Sequence, residues 1–332
     1  MVRQKSLKLF LLACVLTICT TGCAQNKPAL TEEQAKKLPT SHAAWVTYWD
    51  VENGIKAAGR QKDKLAEIVY FAANLTPQGG LVMRPELTLA QKALGKGKYV
   101  QYLSVVNDVT SGDDTIALKD TKVVDKLLAT PETRAKHIAE LLLLAKEQKV
   151  EGLEIDYENV WKDKATAKTF PLFVEELYGQ AKNTNIKLRI VLEPSTPFKD
   201  TKLVAGPSYV VMFYNLYGLH SGPGPKANQQ FIYNTLAKME ALPQPKGVAL
   251  ANGGCLWSNK DKPRFITEQE AETLQKKYGA ESKRDEASQC QVFKYRVGTT
   301  VYEVWYADST TLQHWTTWVK QGNITDISLW RL

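Results

Sequence analysis

The chain has 332 residues, 44% of them hydrophobic, which is too long for one small domain but within the range of a single α/β barrel. Its formal net charge is +8; without Arg3, Lys5 and Lys8 it would be about +5, which suits an anionic cell envelope and equally a solvated basic surface with no partner. No basic stretch carries interleaved aromatics, so nucleic acid is excluded as a partner. CxxC and HExxH are absent and the four histidines are scattered, so neither a metal nor another cofactor is expected.

In chain order, the first segment is a targeting signal over residues 1–22. A basic start precedes LFLLACVLTIC, an apolar run too short to cross a bilayer, which takes about 20 residues, but suited to a secretory signal. Thr20-Thr21-Gly22-Cys23 resembles a bacterial lipobox, with Thr20 where Leu is usual. The resemblance implies that Cys23 is acylated and begins the mature chain, an exported protein held to the membrane by lipid. The alternative is an ordinary cleaved signal. Residues 23–40 are polar and aperiodic and read as a tether; 41–332 form the folded part.

From residue 41 onward, strand-like runs alternate with helical patterns. The runs are 43–50, 67–74, 99–107, 152–158, 187–194, 208–214, 247–253 and 324–330, each rich in β-branched and aromatic residues and ending in a polar or Gly/Pro cluster. The clearest helix covers 131–149, with Thr130 as cap, Pro131 at its first position and Ile138, Leu141, Leu142 and Ala145 on one stripe. A second runs over about 169–183. Eight β elements alternating with helices predict a (β/α)8 barrel; a doubly wound sheet rarely needs eight strands. The alternation breaks once. Residues 255–308 hold a helix pattern at 267–279 and two strand-like runs turning near Gly298, an α+β insertion between strand seven and helix seven, which follows from Ser309. Cys255 and Cys290 fall in this insertion, either as a disulfide or as two unpaired thiols. A monomer is the expectation.

The fourth run, Glu154-Ile155-Asp156-Tyr157-Glu158, carries the chemistry. A strand has period two, so Glu154, Asp156 and Glu158 share one face and Leu153, Ile155 and Tyr157 the other. In a barrel the apolar face meets the helices and the acids point inward, with Glu158 ending the strand at the C-terminal mouth. Acids this close cannot all ionise easily, and one that keeps its proton is a general acid. The same alternation also fits a solvated edge strand or an oxygen-ligand site for Ca²⁺ or Mg²⁺. Tyr48 and Phe71, at the ends of strands one and two, and Trp161, three residues past Glu158, either line such a site or pack in the core and rim.

Residues 151–158 resemble the DGxDxDxE signature of glycoside hydrolase family 18, the chitinase-type barrels. MFYNLYG (212–218) resembles that family's MxYD run. SGPGP (221–225) and YEVWYAD (302–308) are similar to the branch of spore-cortex-lytic and chitinase-like N-acetylglucosaminidases, and SLWRL (328–332) resembles the family's last strand. The resemblance implies a retaining hydrolase of β-1,4-linked N-acetylglucosamine, in chitin, peptidoglycan or another glycan, with the substrate's 2-acetamido group as nucleophile. It implies Glu158 as acid and later base, Asp156 orienting the acetamido group, Tyr214 bonding its oxygen, and Trp330 stacking under the ring beside Met212. Glu151 and Glu154 replace Asp in the signature, and Asn215 replaces the Asp after Tyr214. A carbohydrate-binding lipoprotein on the same barrel, weak or inactive as an enzyme, is the alternative.

Overall fold

The computed structural model describes residues 29–332 except 62, 96, 98, 113 and 114; the signal segment and Cys23 lie outside them. Eight parallel strands close into a barrel: β1 (Ser41–Thr47), β2 (Leu65–Leu75), β3 (Val100–Thr110), β4 (Gly152–Asp156), β5 (Lys187–Leu192), β6 (Ser208–Met212), β7 (Lys246–Ala251) and β8 (Asp326–Trp330). Each pairs with its sequence neighbour, and β1 pairs with β8 to complete the ring.

The elements follow from local sequence. Thr130 caps helix Pro131–Glu147 in a reciprocal capping box with Thr133, and Pro131 fills the first turn, where its missing N–H has no partner to lose. Asp163 accepts from the Ala165 and Thr166 N–H groups and opens helix Lys164–Asn183, earlier than the pattern at 169 indicated. Ile138, Leu141, Phe170, Phe173 and Leu177 pack these helices onto Leu153, Ile155 and Tyr157 of β4 and its end. A second apolar layer fills the barrel interior with Trp45, Val69, Phe71, Tyr102, Val106, Val191, Val210, Met212 and Tyr214. No helix stands between β5 and β6; residues 193–207 cross by turns.

Two short strands sit at the mouth. Leu81–Met83 folds back on the end of β2, and Ile116–Ala117 on the end of β3. The insertion is a five-stranded antiparallel sheet, Gly253–Ser258, Arg264–Ile266, Lys283–Arg284, Gln291–Val297 and Thr300–Ala307, packed under helix Glu268–Tyr278. Its hairpin turns at Gly298, whose φ of 56° suits glycine. Gly254 is required by close approach: a Cβ there would stand 1.7 Å from the Trp305 carbonyl oxygen.

Two expectations change, and one open alternative closes. Of the tether expected over 23–40, residues Glu32–Lys37 form a helix capped by Thr31, docked on helix Ser309–Gln321; the Leu30 N–H donates to the Gln321 carbonyl (3.0 Å) and Lys320 Nζ to the Leu38 carbonyl (2.5 Å). Cys255 and Cys290 are both free and buried. Cys255 opposes Trp305, which opposes Val292, and Cys290 lies two residues before Val292, so the two cysteines are separated by more than two strand spacings of about 4.8 Å each, beyond the roughly 7 Å that a disulfide spans. Finally, β4 ends at Asp156, and Glu158 stands in the loop beyond it. Among the described residues, no helix is long and apolar enough to cross a membrane and no group of three or more His, Cys, Asp or Glu is placed to hold a metal ion.

Candidate active site

The period of β4 places Glu154 and Asp156 inside the barrel and Leu153, Ile155 and Tyr157 outside it. The two inward acids meet different surroundings. Glu154, fully buried, accepts from the Trp45 indole N–H (2.7 Å) and pairs with Arg189 through Nε (3.0 Å). Arg189, also fully buried, pairs with Glu67 (2.5 Å), donates to Ser328 (3.1 Å) and lies 5.6 and 5.4 Å from the Trp45 and Tyr102 ring centres. This ion group closes the barrel below the site. Glu154 therefore belongs to the supporting layer and does not line the cleft, in contrast to its expected place in the site.

One turn of the pleat higher, Asp156 is 8% exposed and its Oδ1 has no hydrogen-bond partner among the described residues. Burial pushes its pKa well up, and the Glu158 and Glu154 charges add to the rise. Burial also raises Glu158, against the pull of Lys119, whose ammonium pairs with the Glu158 carboxylate. Asn107 holds the Glu158 main chain from both sides. Its Oδ1 accepts the Glu158 N–H (2.9 Å) and its Nδ2 donates to the Glu158 carbonyl (3.0 Å). Burial, and then the charges of Asp156, Glu158 and Glu154, hold the Tyr214 hydroxyl far above the usual phenol range, so it stays a donor.

These groups share a cleft of about 910 Å³ at the C-terminal mouth, lined by Asp156, Glu158, Met212, Tyr214, Asn215, Phe71 and Trp330 among others. Asn215 follows Tyr214 in a left-handed conformation (φ 69°), which asparagine tolerates. Trp330 is braced by Phe71 (5.1 Å between ring centres), Trp45 (5.8 Å) and Trp49 (6.3 Å). The peptide after it, Trp330-Arg331, is cis. Asn252 brackets Arg331 there, donating to its carbonyl (2.9 Å) and accepting its N–H (3.2 Å).

Two sequence candidates lie elsewhere. Tyr48 is outside the cleft lining, with the Arg84 guanidinium 4.6 Å from its ring centre and Trp49 edge-on to it. Trp161 packs edge-on against Phe170 (5.4 Å) on the helix side of β4. The sequence reading missed Trp49, 49% exposed on the cleft wall, and Lys119, Lys226 and Arg331. Trp49 stands beside Tyr48 in a run read as strand; the chain leaves β1 in a 3-10 turn, Tyr48–Asp50, which rotates Trp49 into the cleft. Lys226 donates to the Asn252 carbonyl (2.9 Å), and burial lowers its pKa to about 8. Nothing in a strand period marks these cations, because each comes from a loop.

The chain's shape has close counterparts. The spore cortex-lytic enzyme SleL of Bacillus cereus superposes with a TM-score of 0.75 at 17% identity, over 88% of this chain and 71% of that one. The chitinase of Chromobacterium violaceum gives 0.75 at 17%, over 88% and 94%. The class V chitinase of Nicotiana tobaccum in complex with NAG4 gives 0.67 at 13%, over 88% and 94%. No curated protein sequence matches. Residues 44–332, nearly the whole described chain, match Glycosyl hydrolases family 18, and the chain belongs to that family.

Proposed function

We propose that this protein is a retaining glycosidase that cleaves β-1,4 bonds following N-acetylglucosamine, using the substrate's 2-acetamido group as nucleophile. The observation that carries the reading is the unpartnered Asp156 Oδ1, buried between Glu158 and Tyr214 in one cleft. A buried carboxyl oxygen without a partner is costly unless a ligand completes it, and an acetamido N–H is a donor of the right kind.

The steps follow from the residues. Trp330 offers a braced flat face under the sugar ring. Glu158, protonated, gives its proton to the glycosidic oxygen as the C1–O bond breaks. The acetamido carbonyl oxygen attacks C1 and forms an oxazolinium ion. Asp156 accepts the acetamido N–H and offsets the positive charge, and Tyr214 donates to the carbonyl oxygen and fixes its line of attack. Water then attacks C1, Glu158 takes its proton, and the β-anomer is released. The superposed structures, a cortex-lytic enzyme, chitinases and a NAG4 complex, support an N-acetylglucosamine polymer as substrate. Export and acylation at Cys23 complete the proposal; radiolabelled palmitate should enter the wild type and not Cys23→Ser.

Turnover of a chromogenic chitobioside by the wild type, with at least 1,000-fold less from Glu158→Gln, is expected from loss of a general acid (order of magnitude). Equal rates from the two proteins would overturn the reading. Sugar binding without turnover by the wild type would favour a carbohydrate-binding protein on the same barrel.

A further inference from the structure

Lys119 is held over the cleft with some effort. The short strand Ile116–Ala117 folds back on β3. Beyond it Lys119 takes a left-handed backbone conformation (φ 56°), which strains a lysine and not a glycine. The turn is pinned on both sides: the Lys119 N–H donates to Asp108 Oδ1 (2.9 Å) and the Asp120 N–H to the Asn107 carbonyl (2.9 Å). Its ammonium reaches the Glu158 carboxylate, while its side chain stays 38% exposed against 16% for Glu158.

This pairing is at odds with a simple acid. A carboxylate beside an ammonium favours its ionised form, yet the first step needs Glu158 protonated. Three other carboxylates, Asp108, Asp156 and Glu193, act on Glu158 or on Lys119, and the Tyr214 hydroxyl is the remaining titratable neighbour. Lys119 is the cation paired with Glu158 and the largest charge acting on it.

We propose that Lys119 is a specificity-determining residue: it selects glycans whose leaving sugar carries a carboxylate next to its 4-oxygen, by exchanging its pair with Glu158 for one with the substrate. The proposal rests on the hydrolase reading above and names the substrate class for the same site. The glycosidic oxygen must lie within hydrogen-bond reach of Glu158, so the Lys119 ammonium stands about two hydrogen-bond lengths, roughly 5–6 Å, from it. That oxygen is O4 of the leaving sugar, and the substituents flanking O4 on a pyranose are those on C3 and C5. A carboxylate on an O3 ether, or at C6 of a uronic acid, falls at that distance. Bound there, it draws the ammonium off Glu158 and adds a negative charge beside it. Both changes favour proton uptake by Glu158, so the acid is loaded when the fitting substrate arrives. A neutral leaving sugar leaves the ion pair in place.

The test compares kcat/KM of the full chain on peptide-free peptidoglycan strands (carboxylate on an O3 ether), hyaluronan (carboxylate at C6 of the leaving sugar) and chitooligosaccharides, with the first two also after amidation of their carboxylates. The wild type should prefer at least one acidic glycan over its amidated form by roughly tenfold or more, the worth of one pKa unit; the arm that responds identifies the carboxylate's position. Lys119→Gln and Lys119→Gly should abolish the preference, the glycine variant in a backbone that suits it. Both should move the alkaline limb of kcat/KM on chitooligosaccharide to higher pH, because Glu158 keeps its proton longer without the ammonium. Lys119→Arg should keep the preference. Equal rates on acidic and amidated glycans, or an undiminished preference in the variants, would overturn the proposal. Cleavage of chitooligosaccharides alone would overturn it and leave the hydrolase reading standing; cleavage of none of these glycans would end both.

Discussion

Glu154 and Asp156 are two residues apart on one face of one strand, and their neighbours give them opposite roles. Arg189 and Trp45 satisfy Glu154, whereas Asp156 keeps an unpartnered oxygen and a raised pKa from burial and adjacent acids. Glu154→Gln should therefore destabilise the fold by about 3 kcal/mol, since it strips a partner from a buried guanidinium; urea unfolding measures it, and an unchanged midpoint would contradict the assignment. Asp156→Asn should do the reverse. It removes a charge that the folded state holds at a cost above its unfolded pKa, so at pH 7 the melting temperature should rise by roughly 2–4 °C, what about 1 kcal/mol does in a domain this large. Its kcat should fall at least 100-fold. A period of two was enough to place both acids inside the barrel. It could not show that Arg189, on the next strand, would neutralise one and spare the other, because that pairing exists only after β4 and β5 come together.

Two asparagines do the same work at opposite sides of the cleft. Asn107, at the end of β3, brackets the main chain of Glu158, and Asn252, just past β7, brackets Arg331 after Trp330. The acid stands just beyond its strand and the ring platform is the last residue of its own, so side-chain amides supply hydrogen bonds where the ladder ends. Asn107→Ala should lower kcat about 100-fold with KM little changed, because Glu158 loses its fixed position; steady-state kinetics beside an unchanged near-UV spectrum would show it, and wild-type kcat would refute it. Strand and helix positions were largely legible in 43–330 because their periods repeat over several residues. Ile116–Ala117 was not, being two residues long, nor was the left-handed turn that delivers Lys119. Tyr48 and Trp161 were left open between site and core for a related reason: they lie one and five residues past a strand end, where period two no longer says which way a side chain points.

On the scale of the whole molecule, eight strand runs and one break in their alternation were enough to read the barrel and its insertion, since closure forces each strand to alternate between two buried layers. The outer layer carries one buried titratable group with a large consequence for stability. His137, fully buried, bonds the Tyr157 hydroxyl (2.7 Å) and stacks near Phe173. Burial lowers its pKa from 6.5 to about 4. The unfolded chain binds this proton first as pH falls, so the stabilisation is whole above about 6.5 and is lost between there and about 4, up to roughly 3 kcal/mol. Urea unfolding at pH 7, 5.5 and 4.5 should show the decline, and His137→Gln should flatten it; an equal slope in both proteins would assign the acid sensitivity elsewhere.

The proposed chemistry is tested most directly by the anomer first released, followed by proton NMR within seconds of adding wild-type protein to chitotetraose, beside the same oligosaccharide with its acetyl groups removed. The account predicts the β-anomer from the acetylated sugar, later equilibrating, and no cleavage of the deacetylated one. An α-anomer released first, or equal cleavage of both, would contradict it.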